Sequence, residues 1–328
     1  MNLQRNFLIL ATLAAAAATP AFGQAVTPAA GTVGGATQDT ASIPDFSGTW
    51  GHFSYPGLEP PLSGPGPVVN KSRRRQAFDD NGLPFADATA APLVSNNAQR
   101  VGDYTNPILK PWAAQAVKKH GEIELSGWPA PNPTNQCWPE PVPFVFWNLG
   151  MRMLQQPDKV TIVYVFNNEF REVRLNQSHP AELTPSWFGD SVGHYEGDAL
   201  VIDTIGIKTG PFAMVDIYGT PHTEALHVIE RYRLIDYDAA KEALARDAKE
   251  NYRFPPANDS GVIVDPNFKG KHLQLQLTVE DEGVFTTPWS ATVTYRPASG
   301  DWPEFVCAEN PHELLRKSAV PTADKPDF

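Results

Sequence analysis

The segment His272-Leu-Gln-Leu-Gln-Leu-Thr-Val279 alternates polar and apolar side chains without a break. A chain with that period of two presents one wet and one dry face, which defines a half-buried strand and excludes a helix. The texture recurs from Val160 onward. Val160–Phe166 and Glu172–Leu175 flank Asn167-Asn168-Glu169, a hairpin turn, and Gly193–Tyr195 and Ala199–Ile205 flank Glu196-Gly197-Asp198, a second one. Ala225–Asp236 alternates again, and Phe285–Tyr295 and Glu304–Cys307 bring the set to about seven strands. Short connections with almost no intervening helix argue against a parallel α/β sheet. The fold class expected is mainly β: an antiparallel meander closed into a barrel or folded as a sandwich.

The rest of the chain frames that sheet. Residues 1–23 read as a cleavable secretory signal peptide: Arg5 gives the charged start, Phe7–Ala18 the apolar core, and Ala21 and Gly23 the small residues a signal peptidase needs. No other apolar run approaches the ~20 residues of a membrane span, so no stable membrane insertion is expected. Residues 24–43 read as a disordered linker and 44–328 as a single β-barrel-like domain. The stretch 51–100, rich in Pro, Gly, Asn and Ala, reads as loop draped on that domain. Asn106–His120 and Tyr237–Asn251 read as the one or two short helices, with Leu109, Trp112, Ala113 and Val117 on one face of the first. Cys137 and Cys307 are the only cysteines, and an oxidising, periplasmic or secreted setting favours their pairing.

Net charge matters for partners. With 26 Lys and Arg against 37 Asp and Glu the chain carries −11, which repels nucleic acid at long range. A small molecule is the partner such a chain suggests.

Chemistry-capable side chains crowd two windows, His179–Thr204 and Gly219–Tyr232. Strand parity puts Leu226, Val228, Glu230, Tyr232 and Leu234 on one face and His227, Ile229, Arg231 and Arg233 on the other. Glu230 therefore sits on the apolar side, where it must be paired, protonated or facing a cavity. Asp203 shares a face with Val201 and Ile205 and raises the same question. His179 and His222, beside prolines in loops, make an acid/base set with Asp190. His179, Asp190, His222, Glu230 and Arg231 are the candidate catalytic residues, converging at one barrel mouth; Trp187, Tyr195 and Tyr232 are the candidate ligand contacts. No HExxH or CxxC spacing is present, and histidines five apart on a strand face opposite ways, so neither metal nor organic cofactor is expected.

Ser186–Thr204 (SWFGDSVGHYEGDALVIDT) and Gly219–Arg233 (GTPHTEALHVIERYR) resemble a large family of uncharacterised exported bacterial proteins. Pro44–Trp50 (PDFSGTW), Pro288-Trp289 after the acidic turn Glu280-Asp281, and Phe305–Asn310 match that family's other motifs, so the resemblance spans nearly the whole exported part. Tyr195 departs from it, standing where Trp is usual, and Cys137-Trp138-Pro139-Glu140-Pro141 lacks the Gly and Arg that commonly follow that cysteine. Gly48-Thr49-Trp50 also resembles the opening of lipocalin-type barrels. The resemblance implies a lipocalin-like barrel holding a small hydrophobic molecule. Two functions follow from it, with a structural envelope protein as the third: acid/base chemistry on a small apolar compound (a lyase, hydratase or isomerase), or carriage of such a compound unchanged.

Overall fold

The computed structural model describes residues 43–52, 58–79, 83–148, 150–250, 262–265, 267–302 and 304–307. Residues 1–23, expected to be a signal peptide, nearly all of residues 24–43, expected to be a linker, and the motif residues Glu309 and Asn310 lie outside them. Twelve strands are present among the described residues: β1 (Gly48–Gly51), β2 (Arg73–Arg75), β3 (Leu93–Ser95), β4 (Gly150–Gln155), β5 (Lys159–Tyr164), β6 (Phe170–Leu175), β7 (Asp190–Glu196), β8 (Ala199–Ile205), β9 (His227–Ile235), β10 (Ile263–Val264), β11 (His272–Glu280) and β12 (Trp289–Ser299). Two helices, α1 (Pro111–Leu125) and α2 (Tyr237–Glu250), accompany them.

Nine of the strands form a closed barrel in the order β1-β4-β5-β6-β7-β8-β9-β11-β12, with β12 returning to β1. Strand β10 adds two residues to the far end of β12, and β2 and β3 pair separately. The barrel is thus mainly β and lipocalin-like in being closed, but it corrects the meander in three ways. It has nine strands rather than seven. Strand β4 follows a Pro-rich stretch and shows only a short alternation, Met151 and Met153 with Arg152 between them. Glu304–Cys307 is not a strand; it runs irregularly, with the Cys307 N–H donating to Asn167 Oδ1 at 3.2 Å. And β6 and β7 run parallel while all other barrel pairs are antiparallel. A six-residue strand spans only ~20 Å, which the long linker 176–189 can cover going back.

Parity explains why these strands bury what they do. On β9, Val228, Glu230 and Tyr232 point inward and are buried, while His227, Ile229 and Arg231 face out, as the alternation requires. Inside, Met151, Met153, Ile162, Leu200, Ile202, Leu275, Trp289 and Tyr295 fill the core. Trp50 joins them, its indole N–H donating to the Phe46 carbonyl at 2.9 Å. A side chain at Gly193 would meet Val173 and the Val201 carbonyl at about 3 Å, so the barrel interior leaves no room for one there. The tip Glu196-Gly197-Asp198 turns with Gly197 at φ +60°, a conformation that suits glycine.

Helix α1 begins and ends five residues later than its sequence pattern suggests. Pro111 takes the first turn, where its missing N–H costs nothing. His120, Gly121 and Glu124 continue the buried face of Ala113 and Val117 beyond Lys118 and Lys119, and Lys118 pairs with Glu122 at 2.6 Å one turn on. Trp112 leaves the apolar face expected for it; it is half exposed and donates to the Gly283 carbonyl at 2.8 Å.

The strap from Leu58 to Asn70 lies along the free edge of β12. Glu59 exchanges two backbone hydrogen bonds with Thr292, at 3.0 and 2.8 Å, and the Ser290 N–H reaches the Pro65 carbonyl at 3.2 Å. Strand β1 covers only Pro297 and Arg296 of β12, so this strap takes over where β1 stops. Cys137 and Cys307 are joined as a disulfide, their Cα atoms 5.5 Å apart, which ties the loop before β4 to the segment after β12.

Candidate functional site

Among the described residues, three places concern the candidates: the outer face of β6–β11, the barrel interior, and the seam beside β12.

Five consecutive strands each turn one charged side chain outward to form the first. Arg174 of β6, Asp190 of β7, Asp203 of β8, His227 of β9 and Glu280 of β11 make a row, with His179 from the linker 176–189 set into it. Arg174 grips Asp190 through two nitrogens at 2.7 and 3.1 Å. His179 bridges Asp190 at 2.6 Å and Asp203 at 3.0 Å. His227 bridges Asp203 at 3.0 Å and Glu280 at 3.3 Å. Partial burial pushes both aspartates up, but hydrogen bonds from Arg174 and His179 hold Asp190, and from His227 and His179 hold Asp203, below the usual carboxylate value. The hydrogen bond with Asp203 raises His227, against a smaller opposing effect of burial.

Each ring nitrogen of His179 and His227 lies within 3.3 Å of a carboxylate oxygen, so both rings are engaged at both ends within the row. Among the described residues no group of three or more His, Cys, Asp or Glu is arranged to hold a metal ion.

The interior holds a different cluster. The Arg171 guanidinium meets Glu230 through two bonds of 2.5 and 2.7 Å, across β7 and β8, and also donates to Thr204 Oγ1 at 3.1 Å. Tyr232 donates to Glu230 Oε2 at 2.7 Å, and Ser191 and Thr204 share a hydrogen bond of 2.9 Å. Burial works against the charged guanidinium, but the adjacent Glu230 carboxylate outweighs it and raises Arg171 further. Burial, reinforced by Glu230, raises the Tyr232 phenol.

The structure therefore distributes the sequence-derived candidates. His179 and Asp190 meet; Glu230 and Tyr232 meet, but inside the barrel. Arg231 points outward to Glu196, which also takes a bond from His194. His222 is buried against its own loop, its Nδ1 donating to the Thr223 carbonyl at 3.1 Å, and burial lowers its pKa. It shares no hydrogen-bond partner with His179. Tyr195 receives a bond from Gln155 at 2.9 Å. Trp187 stacks edge-on with Trp138 at 5.0 Å beneath the Lys208 ammonium. Sequence reasoning missed Arg171, Arg174 and Glu280. Arg171 alternates with Val173 and Leu175, the signal that could have placed it inward opposite Glu230.

The third place is a cavity of about 490 Å³ at the seam, bounded by the strap, α2 and the outer face of β12. Leu58, Pro60, Pro61, Val68 and Leu244 give it apolar walls. Its floor is polar, because Thr292, Thr294 and Arg296 alternate with the inward residues of β12. Across its rim Arg246 of α2 pairs with Glu59 of the strap, and Glu250 of α2 pairs with Arg73 of β2 at 3.3 Å. Nothing in the sequence periodicity marked it, since it is built from a loop, a helix and a sheet edge.

Comparison with profiles of known protein families, with curated proteins and with solved structures finds no match to this chain.

Proposed function

We propose that this protein binds a small, largely apolar organic molecule in the seam cavity and carries it unchanged. The single observation behind this is the cavity: about 490 Å³, apolar on its walls and polar on its floor. That volume lies within the ~300–1,000 Å³ of ordinary small-molecule sites, and the mixture of apolar lining with a few placed polar groups is what such sites need. Carriage is favoured over acid/base chemistry because His179 and His227 spend both ring nitrogens on carboxylates. We also infer work in an oxidising compartment, periplasmic or secreted. The Cys137–Cys307 bridge supports this, and no helix among the described residues is long and apolar enough to cross a membrane.

Titration calorimetry with octan-1-ol, decan-1-ol and dodecan-1-ol tests the site. At least one alcohol binds the native protein, and Ala243→Phe and Val69→Trp, which fill the cavity from two sides, each weaken it about tenfold or more while the melting temperature stays near native. Binding that survives both fillings places the ligand elsewhere and sinks the reading.

A further inference from the structure

We infer that the molecule held in the seam cavity is an anionic amphiphile, with a carboxylate at its polar end and a hydrocarbon body against the strap. This rests on the cavity being the ligand site and adds what the site selects.

The argument is one of charge and donor count. The chain as a whole carries −11, yet the cavity is lined by three arginines, Arg73, Arg246 and Arg296, against two carboxylates, Glu59 and Glu250. The two carboxylates are not equivalent to a cation's binding site. Glu59 is fixed on the sheet edge, where its backbone exchanges both hydrogen bonds with Thr292 and its Oε2 accepts from the Thr292 hydroxyl at 3.3 Å. Its other oxygen accepts from Arg246 Nε. Glu250 is largely exposed at the end of α2 and makes a single 3.3 Å contact with Arg73. Each rim ion pair thus engages one nitrogen of a guanidinium that has several to offer.

A carboxylate entering between them meets the remaining guanidinium nitrogens, which offer it a fork-shaped donor. Glu59, whose side chain is 21% exposed, then keeps the Thr292 hydroxyl as a hydrogen-bond donor and part of its hydration.

The floor adds an independent observation. Thr294 Oγ1 is shielded from solvent and has no hydrogen-bond partner, though its residue lines the cavity. A buried hydroxyl without a partner is a costly arrangement that an acceptor on a ligand relieves. Walls of Leu58, Pro60, Pro61 and Leu244 take the hydrocarbon, which orients the ligand with its acid toward the arginines and β12.

Helix α2 is held to the strap by Arg246–Glu59 and to β2 by Glu250–Arg73, so the arginines that would read the acid also fix the helix beside the cavity.

The test uses matched pairs of equal chain length: octanoate, decanoate and dodecanoate against octan-1-ol, decan-1-ol and dodecan-1-ol, with decylamine as the cationic control, by calorimetry on the full chain at pH 7. The expected result is that the acid binds about tenfold or more tighter than its alcohol, and that the gap narrows as salt rises. In Arg73→Gln/Arg246→Gln the acid and alcohol bind within about twofold of each other, and the alcohol's own affinity, compared with the native protein, reports what the lost α2 ion pairs cost the cavity. Thr294→Val, which keeps the side chain's shape, weakens the acid several-fold and guards against a double variant that fails to fold. Equal affinity for acid and alcohol in the native protein, or tighter binding of decylamine, overturns the anionic assignment and leaves the cavity as a binding site. Failure of all seven compounds to bind overturns the cavity reading itself.

Discussion

Strands β6 to β9 carry charge on both of their faces, and the two faces have opposite characters. Inward, Arg171 and Glu230 are 2% and 0% exposed and hold each other through a two-bond fork. Outward, Arg174, Asp190, His179, Asp203, His227 and Glu280 form a chain of contacts whose members are between 14% and 44% exposed. The residue chemistry is nearly the same. What differs is access to water. The inner pair has lost its hydration and depends on its partner entirely, so it behaves as a fixed structural unit. The outer row keeps much of its hydration and gains little from each contact. Polar crowding in a sequence does not by itself distinguish a structural clasp from a responsive surface; the face of the strand does.

The largest expected effect comes from breaking the inner pair. Glu230→Gln leaves the Arg171 guanidinium buried without its counter-charge, and should cost about 3–5 kcal/mol in urea unfolding. Replacing both together, Arg171→Met with Glu230→Leu, should recover most of that loss. A single substitution that costs under about 1 kcal/mol would erase the contrast between the faces.

A buried acid with no ion pair among the described residues sharpens the comparison next. Burial pushes Glu140 up to about 8, against bonds from Thr134 at 2.6 Å and from Asn148. Its folded value lies above its unfolded 4.5, so its contribution to stability is full below pH 4.5 and is lost as pH rises toward 8. Glu140→Gln mimics the protonated acid. It should match the native protein at pH 4 and exceed it at pH 8 by a few kcal/mol at most, read from melting curves. A constant difference across that range would refute the assignment.

The outer row should respond more weakly, and in the middle of the pH scale. Asp203 is lowered, so its contribution is present above its unfolded 3.8 and disappears as pH falls through its folded value. His227 is raised, so its contribution is present below its unfolded 6.5 and disappears as pH rises through its folded value. The destabilisation by Asp203→Asn should accordingly peak between pH 3.8 and 6.5, reach about 1 kcal/mol or less, and shrink in high salt. A loss that grows steadily toward pH 9 would contradict the row's ionisation. The smallest effect belongs to Arg231→Gln, which removes only the surface contact to Glu196 and should leave the melting temperature unchanged within error.

Much of the inner face was legible beforehand. Period-two alternation placed Val228, Glu230 and Tyr232 inward on β9, and the required partner for Glu230 existed in the sequence as Arg171, in step with Val173 and Leu175. The hairpin tips at Asn167-Asn168 and Glu196-Gly197-Asp198 were equally readable, because a positive φ demands those residue types. The outer row was half legible: Asp190 and His179 were paired in expectation, but His227 looked unhelpful because histidines five apart on a strand diverge. The structure satisfies it from neighbouring strands instead, with Asp203 and Glu280. Cross-strand register, which no single segment encodes, decided that. The cavity was not legible at all. Its walls come from Leu58, Leu244 and Thr294, far apart in sequence and each unremarkable in its own segment.

The parallel contact between β6 and β7 has a consequence for how this ring can vary. Walk once around a closed barrel and each antiparallel neighbour reverses the direction of travel, while the starting strand must be met again pointing as it did. An even number of reversals is therefore compulsory. Nine strands make nine contacts, an odd number, and β6–β7 is the contact that does not reverse. It follows that a hairpin could be gained or lost without upsetting the circuit, whereas a lone strand could not. It also follows that the linker 176–189 must travel from one pole of the barrel to the other, and in doing so it delivers His179 to Asp190 and Asp203 on the outer wall.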